Sequence, residues 1–353
     1  MIDQTEEYTT LQEDNYIMSH EIEPNTSLTL LIVVLNYRTP NLTIDCLRSL
    51  VDEVQWRPGI RVVVSDNASG DGSVEQIDRA IKTEGWHEWV SLMPLERNGG
   101  FAFGNNAPVR KALASTNPPR YILLLNPDTI VHPGAIGALV EFMDSHPRVG
   151  IAGSRLENPD GTPQRSAFRF HTVLSELDGG LRLGIVSQLL EKWVVAPPVP
   201  EASTQTDWVS GASIIVRREV FEQVGLLDEE YFMYYEETDF CWRALTAGWS
   251  CWYVPQSRII HFVGQSSGVH APNIAPKRLP QYWFDSRRRY FLKNYGWLSA
   301  FLADTAWILG YLLWLLRRVV QGKPDNDPPY LLQDFLRNSV FRGNGLTSNF
   351  LKG

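Results

Sequence analysis

Apolar residues along the chain fall into short blocks separated by polar, glycine-bearing stretches. LTLLIVVLN (28–36) is a continuous run rich in β-branched residues, the mark of a strand buried on both faces. IRVVVSDN (60–67), WVSLMPL (89–95) and YILLLN (121–126) read as three further strands. Between them the spacing predicts helices over 41–51, with Leu42, Leu47 and Leu50 on one side, over 71–81, and over 103–114. Strands alternating with helices imply α/β architecture with a parallel sheet and right-handed crossovers. In such sheets ligands bind beyond the carboxyl ends of the strands. Those ends are Asn36, Asp66–Asn67 and Asn126–Asp128, and all are polar.

The pattern then changes. Residues 155–207 are less regular, and VVAPPVP (194–200) is expected to be an exposed loop. WVSGASIIVRREVF (208–221) reads as a strand running into a helix. EETDFCWRALTAG (236–248) reads as a helix, with Phe240, Cys241, Ala244 and Leu245 on one face and Gly248 closing it. From Trp297 to Leu316 the chain is apolar apart from Ser299, Asp304 and Thr305, and Arg317–Arg318 follow. A bilayer span needs about 20 apolar residues, but a central acid costs about 2.5–3.5 kcal/mol on insertion. Four placements stay open for this helix: a span, a helix lying in the membrane interface, a re-entrant pair, or a helix buried between two copies.

Composition narrows the picture. At 353 residues, 44% hydrophobic and 20% charged, the chain is a folded globular protein. A net charge of −8 argues against nucleic acid as the main partner. Cys46, Cys241 and Cys251 are too scattered for a disulfide framework or a Cys-rich zinc site. No basic segment followed by an apolar run opens the chain, so cytoplasmic residence is expected. Charge is uneven: residues 1–23 carry Asp3, Glu6, Glu7, Glu13, Asp14, Glu21 and Glu23 with no Lys or Arg. Between 277 and 323 nine Lys or Arg face only Asp285 and Asp304, with Trp283, Trp297, Trp307 and Trp314 among them. Basic residues beside Trp and Leu suit a membrane surface. The expected layout is an acidic flexible tail (1–27), a core domain (28–270) and a C-terminal helical, membrane-associating region (271–353), peripheral or monotopic on the cytoplasmic face.

Single motifs are ambiguous. In VVVSDNASGDGS (62–73), Asp66 could accept hydrogen bonds from a ribose or a pyrimidine N–H edge, or merely cap a strand–turn–helix connection. LERNGGFAFGNN (95–106) could bring backbone amides to a phosphate, or be an ordinary Gly-Asn loop. Asn126-Pro127-Asp128 is a common turn starter, but it places a carboxylate suited to Mg2+ or Mn2+ at the end of a central strand. In LLDEEYFMYYEETDFCWRALTAGW (226–249), aromatic rings surround Asp228, Glu229, Glu230, Glu236, Glu237 and Asp239. Such rings desolvate a carboxylate and raise its pKa, as a general base requires. A solvated acidic helix start is the plainer reading of Glu236, Glu237 and Asp239. Purely solvated acids, however, rarely need Tyr231, Phe232, Tyr234 and Tyr235 beside them, which favours the functional reading. His261 ends the apolar run of SRIIHFVGQSSG (257–268), where a lone histidine is more often structural than a ligand.

Their order is more informative than any one of them. VVLNYR, VVSDNASGDGS, NGGFAFGNN, LLLNPDT, WVSGASIIVRREVF, DEEYFMYYEETDFCWRALTAGW and IIHFVG, in succession over 28–268, resemble glycosyltransferase family 2 and its rhamnosyltransferase-like branch. The resemblance implies a GT-A fold, Rossmann-like with a mostly parallel central sheet flanked by helices. It implies that Asp66 holds the donor pyrimidine, that Asn36 lines the same pocket, and that Asn98, Gly99 and Gly100 close over the donor. Asn126 and Asp128 stand in the place of an Asp-x-Asp motif, one acid replaced by an amide, and His261 matches a metal-ligating histidine. Glu237 matches the catalytic base, although the family more often has Asp there. Trp208, Gly211, Glu236, Asp239 and Arg243 match positions at the donor–acceptor contact or supporting that helix.

The activity so implied is inverting transfer of a hexose by a single displacement. The donor would be a nucleotide-diphosphate sugar, dTDP-L-rhamnose by preference. The acceptor would be a saccharide or lipid-linked saccharide of cell-surface polysaccharide synthesis. Mg2+ or Mn2+, held by Asp128 and His261, would be the cofactor, with a membrane surface and a second copy of the chain as further partners. Two other readings compete. A nucleotidyltransferase shares a related sheet, but LNYRTPN stands where its Gly-rich loop would be. A non-catalytic sugar-binding scaffold is countered by the presence of Glu237 and Asp128.

Overall fold

The computed structural model describes residues 28–264 and 276–342, so the acidic segment 1–27 lies outside the described residues. The first half follows the alternation: β1 (Leu30–Asn36), α1 (Pro40–Trp56), β2 (Ile60–Asp66), α2 (Ser73–Thr83), β3 (Val90–Pro94), α3 (Gly100–Leu113) and β4 (Tyr121–Leu125). Next come β5 (Thr129–Val131), α4 (Ala135–Ser145), β6 (Val149–Glu157), β7 (Ala167–Phe168), α5 (Val173–Leu181) and α6 (Gly184–Leu189). The remainder is β8 (Thr204–Thr206), β9 (Trp208–Val209), β10 (Ser213–Arg217), α7 (Arg218–Val224), α8 (Glu236–Thr246), β11 (Ser250–His261), α9 (Gln281–Val320) and α10 (Leu331–Asn338).

Nine strands form one curled sheet in the order β3-β2-β1-β4-β10-β6-β11-β5, with β8 pairing a separate part of β11. β3, β2, β1 and β4 are parallel, as the alternation predicts. β10 runs antiparallel to both its neighbours, so the sheet as a whole is mixed. The unbroken apolar run of β1 has a direct cause. Leu30, Ile32 and Val34 pack with α1, α2 and α4 on one face, while Leu31 and Val33 pack with α3, α7 and α8 on the other. With both faces covered, alternation of polar and apolar residues disappears.

Two local expectations are corrected. Leu245 does not share the buried face of Phe240, Cys241 and Ala244 and is 43% exposed. The Pro-rich stretch 194–200 is mostly half-buried rather than exposed, and the Val195 carbonyl accepts a hydrogen bond from Arg169 N at 2.8 Å.

At the C-terminal end, Gly296 (φ 81°, ψ 174°) breaks α9 into 281–295 and 297–320. The expected division at residue 270 is not a packing boundary. Ion pairs tie α9 to the core: Arg287 to Glu176 on α5 (2.8 Å), Arg289 and Lys293 to Asp228 (2.8 and 2.7 Å), and Lys293 to Asp239 on α8 (2.8 Å). Asp304, the acid that interrupts the apolar run, is buried within the protein. It accepts from Arg287 Nη1 at 2.6 Å and from Val340 N at 2.8 Å. Ala300, Ala303, Trp307 and Tyr311 on the same helix are buried, whereas Leu298, Leu302, Leu309, Leu313 and Leu316 are exposed. The second half of α9 is therefore amphipathic, with one packed face and one bare apolar stripe.

Candidate active site

The parallel register of β1 and β2 sets Asn36 beside Asp66 at the carboxyl edge of the sheet. Both are buried, and Asn36 Nδ2 donates to Asp66 Oδ2 at 2.6 Å. Ser69 completes the unit: its N–H donates to Asp66 Oδ1 at 2.9 Å and its hydroxyl to Oδ2 at 2.7 Å. The two strand ends turn through left-handed residues, Arg38 (φ 58°) and Ala68 (φ 55°). Asn67 links this corner to the 98–100 loop. Its side chain donates to Asn98 Oδ1 (2.9 Å) and the Gly100 carbonyl (3.0 Å), and Gly100 N donates back to Asn98 Oδ1 (3.0 Å). Asn36, Asp66, Asn98, Gly99 and Gly100 thus occupy one corner, as expected, with Asn67 and Ser69 as its unexpected organisers.

β4 ends one turn away. The Asn126 N–H donates to the Ala212 carbonyl at 2.9 Å, which joins the strand end to the segment carrying Gly211. Two residues on, Asp128 is buried, and its carbonyl accepts from Phe262 N at 2.9 Å. Antiparallel pairing of β5 with β11 sets His261 opposite Thr129, and its Nε2 lies 3.6 Å from Asp128 Oδ1. Gln164 holds the ring, with Oε1 3.2 Å from Nδ1 and Nε2 donating to the His261 carbonyl at 2.8 Å. With Gln164 Oε1 as acceptor, Nδ1 carries the proton and Nε2 presents its lone pair toward Asp128, the orientation a second-shell partner gives a metal-ligating histidine. A carboxylate oxygen and an imidazole nitrogen at this separation fit two positions in the shell of Mg2+ or Mn2+. No group of three or more His, Cys, Asp or Glu converges among the described residues, so further ligands would come from substrate and water. Beside Asp128 opens a cavity of about 440 Å3 lined by Leu42, Arg48, Ile130 and Phe262, none of them a site residue expected from the sequence.

The acids of α8 divide in two. Tyr234 (φ 71°) and Tyr235 (φ 68°) are both left-handed, and this strained turn delivers Glu236 and Glu237 at the helix start. Burial raises the carboxyl pKa of Glu237, against the partial opposition of backbone N–H groups at Glu237 itself, Gly211 and Thr238. Burial raises Glu236 further, and the neighbouring Glu237 charge adds to it. Glu236 Oε2 and Glu237 Oε2 are both buried without a hydrogen-bond partner. The two buried carboxyls titrate as a pair, and burial holds both above the ordinary glutamate range.

Asp239 and Arg243 do not reach the cleft. Asp239 is sealed, and it accepts from Arg243 Nε (2.9 Å), Lys293 Nζ (2.8 Å) and Asn294 Nδ2 (3.1 Å). Arg243 is further committed to the Val224 and Leu226 carbonyls. These two residues anchor α8, in keeping with positions that support that helix. Trp208 stacks on Phe168 with centroids 4.2 Å apart and donates Nε1–H to the Arg169 carbonyl at 2.9 Å.

A mixed curled sheet flanked by helices, with polar groups gathered at the carboxyl edge of its parallel strands, is the GT-A fold. Residues 121–323 match the family model described as glycosyl transferase family group 2, and residues 29–192 match that of glycosyl transferase family 2. The chain belongs to glycosyltransferase family 2 and is a glycosyltransferase. It is 29% identical over 253 residues to the N-acetylglucosaminyl-diphospho-decaprenol L-rhamnosyltransferase of Mycobacterium tuberculosis, covering 68% of this chain and 78% of that one. It is 26% identical over 258 residues to the dTDP-rhamnosyl transferase RfbF of Shigella flexneri, covering 72% and 76%. Among solved structures, a mannosyltransferase of Pyrobaculum calidifontis in complex with GDP-Man and Mn2+ shares the fold, with TM-score 0.50, 15% identity, and 89% and 86% of the chains covered. GalNAc-T7 with UDP, GalNAc and Mn2+ gives TM-score 0.52 at 15% identity, with 89% and 55% covered.

Proposed function

We propose that the protein transfers L-rhamnose from dTDP-L-rhamnose to a hydroxyl of a saccharide or lipid-linked saccharide in polysaccharide synthesis, with inversion. The names of the rhamnosyltransferase relatives support the sugar and the pathway class. The observation that carries the reading is the convergence at Gly211. Its neighbour Ala212 accepts from Asn126 N on the Asp128–His261 side, and Gly211 itself lies against the Glu237 carboxyl, where a Cβ would stand 3.6 Å from Oε1.

In this reading Asn36 and Asp66 hold the nucleoside, and Asn98, Gly99 and Gly100 close over it. The Asn126 amide meets a ribose hydroxyl. Mg2+ or Mn2+, bound through Asp128 and His261, supplies Lewis-acid neutralisation of the donor diphosphate. Glu237 takes the proton of the acceptor hydroxyl as that oxygen bonds to the anomeric carbon. The bond from that carbon to the diphosphate oxygen breaks on the opposite face, and the nucleoside diphosphate leaves. Desolvation of Glu237 places its pKa nearer the working pH than an exposed glutamate. Glu236 stands beside it, and Trp208 and Gly211 border the two sugars.

The bare stripe of α9 supports a location on the cytoplasmic face of a membrane, with the helix lying in the interface. A crossing would carry α5 and the buried Arg287 ion pairs into hydrocarbon. The reading is tested by incubating the protein, with Mg2+ or Mn2+, with a panel of sugar nucleotides and measuring nucleotide release. Faster release from dTDP-L-rhamnose than from UDP- or GDP-hexoses is expected. Equal inertness toward every donor would overturn it.

A further inference from the structure

One histidine outside the residues assigned so far is built like a substrate ligand. His171 directly precedes α5, where Thr172 and Ser175 form a reciprocal capping box (2.8 and 3.2 Å) that fixes the turn. Its Nδ1 lies 3.3 Å from Glu176 Oε1. Glu176 is itself clamped, because its Oε2 accepts from Arg287 Nε at 3.1 Å and Nη2 at 2.8 Å. A carboxylate only accepts, so Nδ1 carries the proton and Nε2 is left as the acceptor. Nε2 has no hydrogen-bond partner among the described residues, although the side chain retains 22% exposure.

The ring stands where the two segments that meet at Glu237 come together. It lies 5.0 Å from the ring of Tyr235, two residues before Glu237, and 6.4 Å from the near-parallel ring of Trp208, three residues before Gly211. Phe168, Trp208 and His171 form a run of stacked rings, a wall beside the segment that leads through Tyr235 into Glu237. Stacked rings beside a single fixed hydrogen-bond acceptor suit a sugar, which offers an apolar C–H face and a rim of hydroxyls.

The geometry points to this wall as the acceptor-sugar subsite, with His171 Nε2 accepting a hydrogen bond from an acceptor hydroxyl and the Trp208–Phe168 stack bearing on the ring face. Glu176 is a positioning residue that sets the tautomer and rotation of His171. The inference rests on the glycosyltransferase reading and adds to it the residues that choose the acceptor.

The test uses the full chain, dTDP-L-rhamnose, and octyl glycosides ending in N-acetylglucosamine, galactose, glucose, mannose or rhamnose. Acceptor KM and donor KM are measured for wild type, His171→Phe and His171→Gln. Phe keeps the ring and loses the nitrogen, whereas Gln loses the ring but places an amide oxygen near the position of Nε2. Loss of one hydrogen bond to substrate is worth about tenfold, so His171→Phe should raise acceptor KM about tenfold while donor KM moves less than twofold. His171→Gln should fall between the two. Rescue by Phe but not by Gln shows a packing role and overturns the proposal. So does a wild type that hydrolyses the donor yet transfers to no glycoside in the panel. A wild type that cleaves no sugar nucleotide instead overturns the reading beneath it.

Discussion

Nε2 of His261 lies 3.6 Å from Oδ1 of Asp128, and the two residues come from segments more than a hundred positions apart. Two ligands are few for a dication, and Asn126 replaces the second carboxylate that a denser site would have. Metal affinity should therefore depend on the nucleotide. Mn2+ binding, followed by electron paramagnetic resonance or calorimetry, is expected to be weak for the protein alone and to tighten at least tenfold with dTDP present. His261→Ala and Asp128→Ala should each remove that gain. Tight Mn2+ binding without nucleotide, or an undiminished gain in His261→Ala, would exclude His261 from the shell.

Glu237 acts as a base only when ionised, and its raised pKa sets the pH window. Activity should climb with pH across a range above the ordinary glutamate value of 4.5. Glu237→Gln is expected to lower kcat by roughly 100- to 10,000-fold. Glu236→Gln should keep an acid limb in the kcat/KM profile, whereas Glu237→Gln should remove it. Stability carries the opposite sign. A carboxyl whose folded pKa exceeds its unfolded one loses stability as pH rises above the unfolded value. Glu237→Gln should thus melt higher than wild type at pH 8, with the advantage shrinking toward pH 4.5. A lower Tm for the variant at pH 8 would contradict the desolvation.

Gly211 and Gly100 fix the two sides of the cleft. A Cβ on Gly211 would stand 3.3 Å from the Phe101 ring and 3.6 Å from Glu237 Oε1, so Gly211→Ala crowds the base while the fold can accommodate it. The expected cost is about 1–3 kcal/mol of transition-state or folding free energy, read as reduced kcat with a cooperative melt retained. Gly100 is left-handed (φ 87°), and a Cβ there would fall 2.0 Å from the Phe232 carbonyl oxygen. Gly100→Ala should pull the 98–100 loop off the catalytic segment and weaken binding of dTDP, measured by calorimetry. Wild-type dTDP affinity in that variant would separate the loop from the donor.

What the chain announced in advance was whatever rests on local pattern. β1, β2 and β4 read as apolar runs because helices cover both their faces, and the polar edge at Asn36, Asp66 and Asp128 follows from where those runs stop. α3 begins at Gly100, ahead of the expected start, because Asn98 accepts the Gly100 N–H across a glycine pair that reads as loop. The silent part is long-range pairing. Gln164 behind His261, Arg287 on Glu176, and Lys293 on Asp239 each join distant segments that share no periodicity. Asp304 was read as a flaw in a membrane helix because Arg287, 17 positions earlier, was not visible as its partner.

Arg287 holds two buried carboxylates, Glu176 and Asp304; burial pushes the Glu176 pKa up, but the guanidinium and His171 outweigh it and bring it down to about 2. Arg287→Met strands both acids and is expected to cost about 3–5 kcal/mol, as for other broken buried pairs. With a folded pKa below the unfolded one, Glu176 contributes stability above pH 4.5 that fades as pH falls toward 2. The destabilisation by Arg287→Met, followed by urea unfolding, should therefore be largest near neutral pH and smaller in acid. A uniform offset across pH would mean packing loss alone.

The basic cluster of 277–323 changes the membrane expectation, because its charges are engaged inside the protein. Arg278 pairs with Asp334, Arg287 with Glu176 and Asp304, Arg289 and Lys293 with Asp228, and Arg318 with Asp325. Arg317 donates to the Leu181 and Arg182 carbonyls, Lys323 sits over the Trp314 ring, and Lys277 and Arg288 are engaged too. In the proposed membrane-bound state, attraction to anionic lipid would then be secondary, and the exposed stripe of Leu298, Leu302, Leu309, Leu313 and Leu316 would supply the affinity. Sedimentation with neutral phosphatidylcholine vesicles should persist in 0.5 M salt, where screening confines charge effects to a few ångströms. Removing 297–353 would also remove Asp304 and disturb Arg287, so a double substitution, Leu309→Glu with Leu316→Glu, is the cleaner probe. It should abolish vesicle binding and leave Tm within a few degrees of wild type. Binding that vanishes in salt would return the role to the basic residues. A variant that keeps binding vesicles but changes from dimer to monomer would make the stripe an interface between two copies.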